Sequence, residues 1–161
     1  MSVEKVREYL TAYGLGDRVM ECPVSSATVD LAAQAVGVEA ARIGKTLSFK
    51  VHDVPVLIVV AGDARVDNAR YKQYFGTKAK MLTPEEAVER IGHAVGGVCP
   101  FAVPEDVKVY LDVSLRRFDT VFPAAGSASS AVKLTGGELE SCCVSGFMEW
   151  VDVCKGWQEE T

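Results

Sequence analysis

The stretch KTLSFKVHDVPVLIVVA, residues 45–61, contains two strand patterns of different kinds. From Lys45 to Val51 apolar and polar residues alternate, which predicts a strand that is buried on one face and exposed on the other. From Val56 to Ala61 every residue is apolar, which predicts a strand covered on both faces. We therefore interpret residues 56–61 as a central strand of a sheet.

Helix signals occur on both sides of this stretch. They are apolar spacing from Val3 to Ala12, a helix capped by Thr28 and closed by Gly37, a short helix beginning at Asp67, and capping boxes at Thr83–Glu86 and Thr135–Glu138. In the Asp67 helix, Tyr71, Tyr74 and Phe75 fall at i, i+3 and i+4. We assign these aromatic side chains to the core rather than to base stacking.

Further strands are predicted at Val107–Val113, Thr120–Phe122 and Ala131–Leu134. In the first of them, alternation places Val109 and Leu111 inward and Lys108 and Tyr110 outward. Because strands and helices are interspersed without a regular βαβ rhythm, we predict an α/β (α+β) fold with a mixed sheet. The sheet is expected to be strongly curved, tending to a barrel with surrounding helices.

The composition is that of one globular domain. The chain has 161 residues, 48% of them hydrophobic and 24% charged, which suits a single domain over residues 1–161 with one core. The longest apolar run, Val54 to Ala61, is too short to cross a bilayer, and Met1 to Leu10 lacks the apolar stretch of a signal peptide. We predict a cytoplasmic protein with no membrane partner.

The cysteines favour neither a disulfide framework nor a metal site. There are five, Cys22, Cys99, Cys142, Cys143 and Cys154, an odd number without regular spacing. A zinc site from Cys22, His52, His93 and Cys99 is conceivable because ligands converge in space. Zinc ligands usually include a pair close in sequence, however, and no CxxC occurs. We predict no metal and no other cofactor.

The charge is unevenly distributed along the chain. The net charge is −5, but residues 62–80 hold five basic against two acidic side chains, a local +3 that leaves −8 elsewhere. The basic residues are Arg65, Arg70, Lys72, Lys78 and Lys80. Such a segment on an acidic body can hold a few phosphates and repel the rest of a long polyanion such as DNA. The alternative is a solvated helix face.

The sequence contains no GxSxG, HExxH, P-loop or Rossmann motif. Three other features are candidates for a catalytic or binding site. Lys45 ends a row of inward-facing residues; its stem could instead extend to solvent. Residues 96–100, GGVCP, form a loop whose backbone can approach a ligand, or an ordinary tight turn. The small residues from Gly126 to Ser130 can admit a ligand or serve as a flexible connection.

Taken in order, five short motifs resemble one family. They are SAT (26–28), IGKTL (43–47), GGVCPF (96–101), YLD (110–112) and AGS (125–127). Together they resemble the YbaK family, also called the prolyl-tRNA synthetase-associated or insertion-type aminoacyl-tRNA editing domain. The resemblance runs from about Met20 to about Ser141, and its specificity lies in the combination rather than in any single motif.

The resemblance implies hydrolysis in trans of the ester of a mischarged tRNA, with a small amino acid such as cysteine or alanine on proline tRNA. The implied partners are the acceptor end of that tRNA and an aminoacyl-tRNA synthetase, and the five basic residues of the segment 62–80 are the predicted contacts with the tRNA. Lys45 is the implied catalytic residue. The implied substrate-binding residues are Ser26, Thr46, Gly96, Gly97, Val98, Cys99, Pro100, Asp112, Gly126 and Ser127.

Two residues or segments depart from the family pattern. Cys99 stands where a serine, alanine or threonine is usual, which bears on the polarity of the pocket. The loop from Gly126 lacks the proline or basic residue sometimes found there, which bears on contacts with the tRNA end.

The chemistry of editing agrees with the absence of a catalytic triad. An aminoacyl ester is labile, so orientation and a positive charge near the developing oxyanion are sufficient. A group on the substrate, a ribose hydroxyl or a thiol, is thought to take part in this family. Two alternatives remain: a non-catalytic module that binds tRNA ends or a synthetase, and a thiol enzyme using Cys99 or Cys22, which would need a lowered cysteine pKa.

Overall fold

The computed structural model describes residues 2–21, 29–94, 96–143 and 147–157. Its α-helices are α1 (Ser2–Thr11), α2 (Val29–Val36), α3 (Asn68–Phe75), α4 (Pro84–Glu86) and α5 (Gly136–Cys142). Each lies where the sequence predicts a helix. Asp67 caps α3, and both capping boxes form with Thr83 and Thr135 as the capping residues. The predicted cap Thr28 lies outside the described residues.

The described residues also form ten strands. They are β1 (Val19–Glu21), β2 (Ile43–Val51), β3 (Val54–Ala61), β4 (Arg65–Val66), β5 (Lys108–Asp112), β6 (Thr120–Pro123), β7 (Ser130–Val132), β8 (Leu134–Thr135), β9 (Phe147–Val151) and β10 (Cys154–Lys155). Six of them make a curled half-barrel in the order β8-β6-β2-β3-β5-β9, and β1 pairs with β7 and β4 with β10. The main sheet contains two antiparallel and three parallel pairs, which confirms the predicted mixed, curved sheet.

The two strand patterns of residues 45–61 form one antiparallel hairpin. Val51 pairs with Val54 across a turn in which His52 and Asp53 both have positive φ, 49° and 69°. That backbone twist matches the twist of the strands it joins. From Val56 to Ala61 each residue of β3 is at most 1% exposed, which confirms a central strand.

Three details of the predicted packing were wrong. The polar face of residues 45–51 was expected to be exposed, but Ser48 on that face is only 8% exposed because other segments cover it. Tyr110 was placed outward, but it is only 7% exposed because α3 covers that face; the ring centroids of Phe75 and Tyr110 are 5.1 Å apart. Tyr74 was assigned to the core, yet it is 43% exposed and its hydroxyl bonds Glu149 at the surface. The apolar stripe of α3 is therefore centred on Tyr71.

The predicted strand Ala131–Leu134 is interrupted. Residues 130–132 pair with β1, whereas residues 134–135 pair with β6, so the chain passes from one sheet to the other at Lys133. This change of partner carries the chain around the curled sheet. Among the residues described, no helix is long and apolar enough to cross a membrane.

Candidate functional site

A cavity of about 320 Å³ lies beside β2. One wall is the strand itself, residues 43–48, and the others come from four separate parts of the chain. These parts are the start of α2 (Val29 and Ala32), the segment with Met81, Leu82, Pro84 and Ala87, the loop with Gly96 and Val98, and the stretch with Phe122, Ala124, Ser130 and Ala131. The cavity is therefore assembled by tertiary contacts around one edge of β2.

Lys45 is a half-buried residue of this cavity wall. Its side chain makes no hydrogen bond or ion pair with the residues that the structure describes. Burial lowers the pKa of its ammonium group; neighbouring Cys154 and Asp63 act in the opposite direction, and Arg65 lowers the pKa further. A partly desolvated cation without a partner is poised to bind a negative or developing negative charge.

Asp112 lies on the same face of the sheet as Lys45, because Lys45 pairs with Val60 and β5 continues beside β3. It is fully buried. Its carboxylate accepts hydrogen bonds from the N–H groups of Ser114 (2.9 Å) and Val153 (3.0 Å). Burial raises the pKa of the Cys154 thiol, and the neighbouring Asp112, to which that thiol is hydrogen bonded, raises it further. Asp112 thus organises the backbone behind Lys45 and does not line the cavity.

The two predicted glycine loops meet each other at the cavity. A Cβ on Gly97 would lie 2.6 Å from the backbone of Gly126 and Ser127, so these loops pack backbone against backbone. Gly96, with φ of 93°, and Val98 reach the cavity wall, whereas Gly97 and Pro100 are buried behind it. The two backbone segments approach so closely that a side chain at position 97 would clash, which explains why glycine is required there.

Cys99 is fully buried and is not part of the cavity wall. Its Sγ lies 3.5 Å from Nε2 of His93, whose ring is 2.8 Å from the carbonyl oxygen of Phe101. Burial raises the pKa of Cys99 to about 12, so the group is a neutral thiol at physiological pH. In the described part of the chain, no three His, Cys, Asp or Glu residues are grouped as metal ligands.

Residues 24–142 match the sequence model of the aminoacyl-tRNA editing domain. The chain belongs to this family. This confirms the resemblance drawn from the five motifs. Ser26 and Cys22, which the sequence brought into consideration, lie outside the described residues of the editing domain.

Similar proteins support the same assignment. Over 159 residues, 98% of this chain and all of the relative, it is 50% identical to the uncharacterized protein YwhH of Bacillus subtilis (strain 168). It is 35% identical to a proline–tRNA ligase of Lactiplantibacillus plantarum over 53% of this chain, a match that spans 15% of the ligase. A crystal structure of a candidate trans-editing enzyme for prolyl tRNA synthetase superposes with a TM-score of 0.86 and 32% identity, covering 96% of this chain and 98% of the other.

The five basic residues of the segment 62–80 have different surroundings. Arg70 is ion-paired with Asp152 at 3.0 Å, and Lys72 is exposed on α3. Lys78 and Lys80 are exposed in the segment that leads into Met81 and Leu82 of the cavity wall. Arg65 is exposed and close enough to influence the pKa of Lys45. A role of these side chains in tRNA binding stays a prediction.

Sequence reasoning missed the wall opposite β2. Met81 and Leu82 follow the basic segment, and Leu82 N donates to the carbonyl of Ser48 at 3.1 Å, which brings the segment alongside the strand. Met81 is 55% exposed although it borders the cavity. The available signal was that Met81 and Leu82 are two apolar residues between the basic segment and the capping box at Thr83. No local sequence pattern indicates that these two residues lie beside β2.

Proposed function

We propose that this editing domain hydrolyses, in trans, the ester that joins a small amino acid to a mischarged proline tRNA. The observation that carries the proposal is Lys45, a partly desolvated cation without a described partner in the wall of a cavity. The relationship to part of a proline–tRNA ligase and to a candidate trans-editing enzyme supports the choice of tRNA. A synthetase as partner and a cytoplasmic location belong to the same proposal.

The size of the cavity supports a small amino acid. Pockets of roughly 300 to 1,000 Å³ accommodate drug-sized ligands. A volume of about 320 Å³ is at the lower end, enough for a small aminoacyl group and part of the terminal adenosine. A synthetase cannot strongly reject a smaller or isosteric side chain by binding alone, which is why a second site of this kind is needed.

The proposed reaction needs few protein groups. Water adds to the ester carbonyl, and the bond between the acyl carbon and the ribose oxygen then breaks. The products are the free amino acid and the tRNA with a free ribose hydroxyl. Lys45 stabilises the negative charge that develops on the carbonyl oxygen, and the walls hold the ester in place. The neighbouring ribose hydroxyl of the substrate can assist the proton transfers. No metal ion is required in this scheme.

A deacylation panel tests the proposal. Alanyl-, cysteinyl- and seryl-tRNA for proline are compared with prolyl-tRNA for proline and with alanyl-tRNA for alanine, with and without EDTA. We expect turnover of at least one mischarged tRNA, preserved in EDTA. Binding without turnover of any of them would favour the non-catalytic module. Loss of activity in EDTA that zinc restores would contradict metal independence.

A further inference from the structure

The hydrogen-bond ladder on one edge of β2 has a gap. On its other edge, β2 pairs with β3 along its length, from Gly44 to Val51. On the gapped edge, β6 pairs with β2 only as far as Gly44, and the segment around Met81 pairs with it again at Phe49. The residues between these two partners face the cavity.

Thr46 is at the centre of this gap. Lys50 N donates to the carbonyl of Lys80 at 2.8 Å, and the carbonyl of Ser48 accepts from Leu82 N at 3.1 Å. Alternate residues of a strand in an antiparallel pair direct their N–H and C=O groups to the same edge. The N–H and C=O of Thr46 therefore point into the gap, as does the N–H of Ser48, where no described strand meets them.

The side chain of Thr46 shows the same lack of partners. Thr46 lines the cavity, and its Oγ1 is buried with no hydrogen-bond partner among the described residues. A buried hydroxyl without a partner is costly to the fold. One acceptor carbonyl, two donor N–H groups and one hydroxyl thus converge on a space in the wall that also holds Lys45.

We infer that this gap binds the amino acid part of the ester as though it were one residue of an added strand, an inference that rests on the proposed function. The α-ammonium group of the aminoacyl ester donates to the C=O and Oγ1 of Thr46. The ester carbonyl accepts from the N–H groups on the same edge. This pairing uses main-chain groups, as in the addition of a peptide to a sheet edge, and it leaves the amino acid side chain to the apolar walls.

A free α-amino group follows as a requirement of the site. An aminoacyl ester presents the charged amine that the Thr46 acceptors satisfy. An N-acylated ester has lost that charge and two of its three donor hydrogens, and its acyl group must enter the space occupied by the gap. The ligand class is therefore esters of unblocked amino acids, to the exclusion of N-blocked and peptidyl esters.

The test compares Thr46→Val, which keeps the shape but removes the hydroxyl, with Thr46→Ser, which keeps the hydroxyl. Single-turnover rates are measured on alanyl-tRNA for proline and on the same tRNA after N-acetylation. We expect the wild-type protein to prefer the free amine by about tenfold or more, and Thr46→Val to lose about tenfold on that substrate only, as for one hydrogen bond to a charged group. Thr46→Ser, which retains the hydroxyl, should recover most of the activity that Thr46→Val loses on the free-amine substrate. Equal loss on both substrates, or a wild-type protein indifferent to acetylation, would overturn the inference.

Binding of a stable analogue separates this inference from the proposed function. Calorimetry with the alanyl amide of 3′-amino-3′-deoxyadenosine and with its N-acetyl derivative needs no turnover. One outcome is that the free amine binds more tightly, and loses that advantage in Thr46→Val, while no ester is hydrolysed. That result would contradict the proposed function but support the amine-binding subsite. Hydrolysis with no preference between the two amides would remove the subsite alone.

Discussion

Strand β2 carries two lysines in contrasting states. Lys50, at the hairpin end, donates to Oε2 of Glu86 at 2.7 Å, and its backbone N–H bonds the carbonyl of Lys80. The side chain of Lys45, five residues earlier and on the opposite face, has no ion pair or hydrogen bond among the described residues. The side-chain hydrogen bond from Lys50 lowers the pKa of Glu86 to about 2, whereas burial lowers the pKa of Lys45 itself. The same residue type thus serves the fold at one end and remains open to a ligand at the other.

Replacement of each lysine by methionine is the strongest test of this contrast. Lys45→Met should lower the single-turnover deacylation rate by about 100-fold or more, because it removes the charge that stabilises the oxyanion. Its free energy of unfolding should change by no more than about 1 kcal/mol, since methionine fills the space of the lysine stem. Single-turnover kinetics and urea denaturation measure the two effects.

Lys50→Met is the matched control. It should lower the denaturation midpoint through loss of the Glu86 pair, while the deacylation rate of the folded protein stays within about twofold of wild type. Full activity of Lys45→Met, or equal inactivation of both variants, would show that the contrast between the two lysines is not a contrast in function.

Gly97→Ala tests whether the loop that supplies Gly96 and Val98 to the cavity wall depends on close packing. The added Cβ would meet the backbone of Gly126 at 2.6 Å, so we expect a loss of about 1–3 kcal/mol in unfolding free energy and about tenfold in activity. Gly137→Ala in α5 is the control, because its Cβ would have nothing within 4 Å. Thermal denaturation and deacylation are measured for both; an unperturbed Gly97→Ala protein would contradict the proximity of the two loops.

The pH dependence should report the charge of Lys45. Because burial lowers its pKa, Lys45 loses its charge at a lower pH than an ordinary lysine does. The rate advantage of wild type over Lys45→Met should therefore shrink, by about tenfold per unit above that pKa, as the pH rises towards about 10. The rate of hydrolysis without protein, which rises with hydroxide concentration, is subtracted from both rates before their ratio is taken. A ratio independent of pH would remove the charge from the mechanism.

Stability should follow the same titration with a definite sign. Because burial disfavours the charged form of Lys45, the ammonium group destabilises the folded state at any pH below the lowered pKa. This destabilisation decreases above that pH and disappears once the pH exceeds the pKa that Lys45 has in the unfolded chain. The difference in denaturation midpoint between wild type and Lys45→Met should accordingly narrow at high pH.

Lys78 and Lys80 test whether the hairpin end of β2, where Lys50 lies, contributes to the binding of tRNA. Both are exposed beside the segment that pairs with β2, so their replacement by alanine should raise KM for tRNA by about two- to fivefold, less at high salt. The single-turnover maximum should not change. An equal loss in both parameters would place these lysines at the chemistry, the role we propose for Lys45.

Cys99→Ser should have the smallest effect. A thiol whose burial raises its pKa to about 12 is not a nucleophile at neutral pH, so hydrolysis should persist and no acyl-enzyme should form in a rapid quench. Since Cys99 is packed behind the wall, the ratio of amino acids removed should shift by less than about threefold. An acyl group trapped on Cys99 would replace the proposed mechanism by covalent catalysis.

Local sequence patterns predicted most elements of the fold. The hydrophobic periods of residues 45–61 placed the two main strands, and the capping residues Asp67, Thr83 and Thr135 placed three helix starts. The change of sheet at Lys133 and the burial of Tyr110 were not predicted, because each depends on a partner distant in sequence. Those partners determine the face on which a residue lies and the point at which a strand stops.

The sequence alone determined that the chain forms strands around residues 45–61, that it resembles an editing family, and that Lys45 is its foremost candidate for chemistry. These conclusions rest on residue type and spacing, which need no knowledge of contacts. Only the tertiary structure placed Met81 and Leu82 opposite β2, brought Gly97 against Gly126, and buried Cys99 behind the cavity. The gap at Thr46 is likewise a tertiary feature, because a hydrogen-bonding edge is open or closed according to which distant segments reach it.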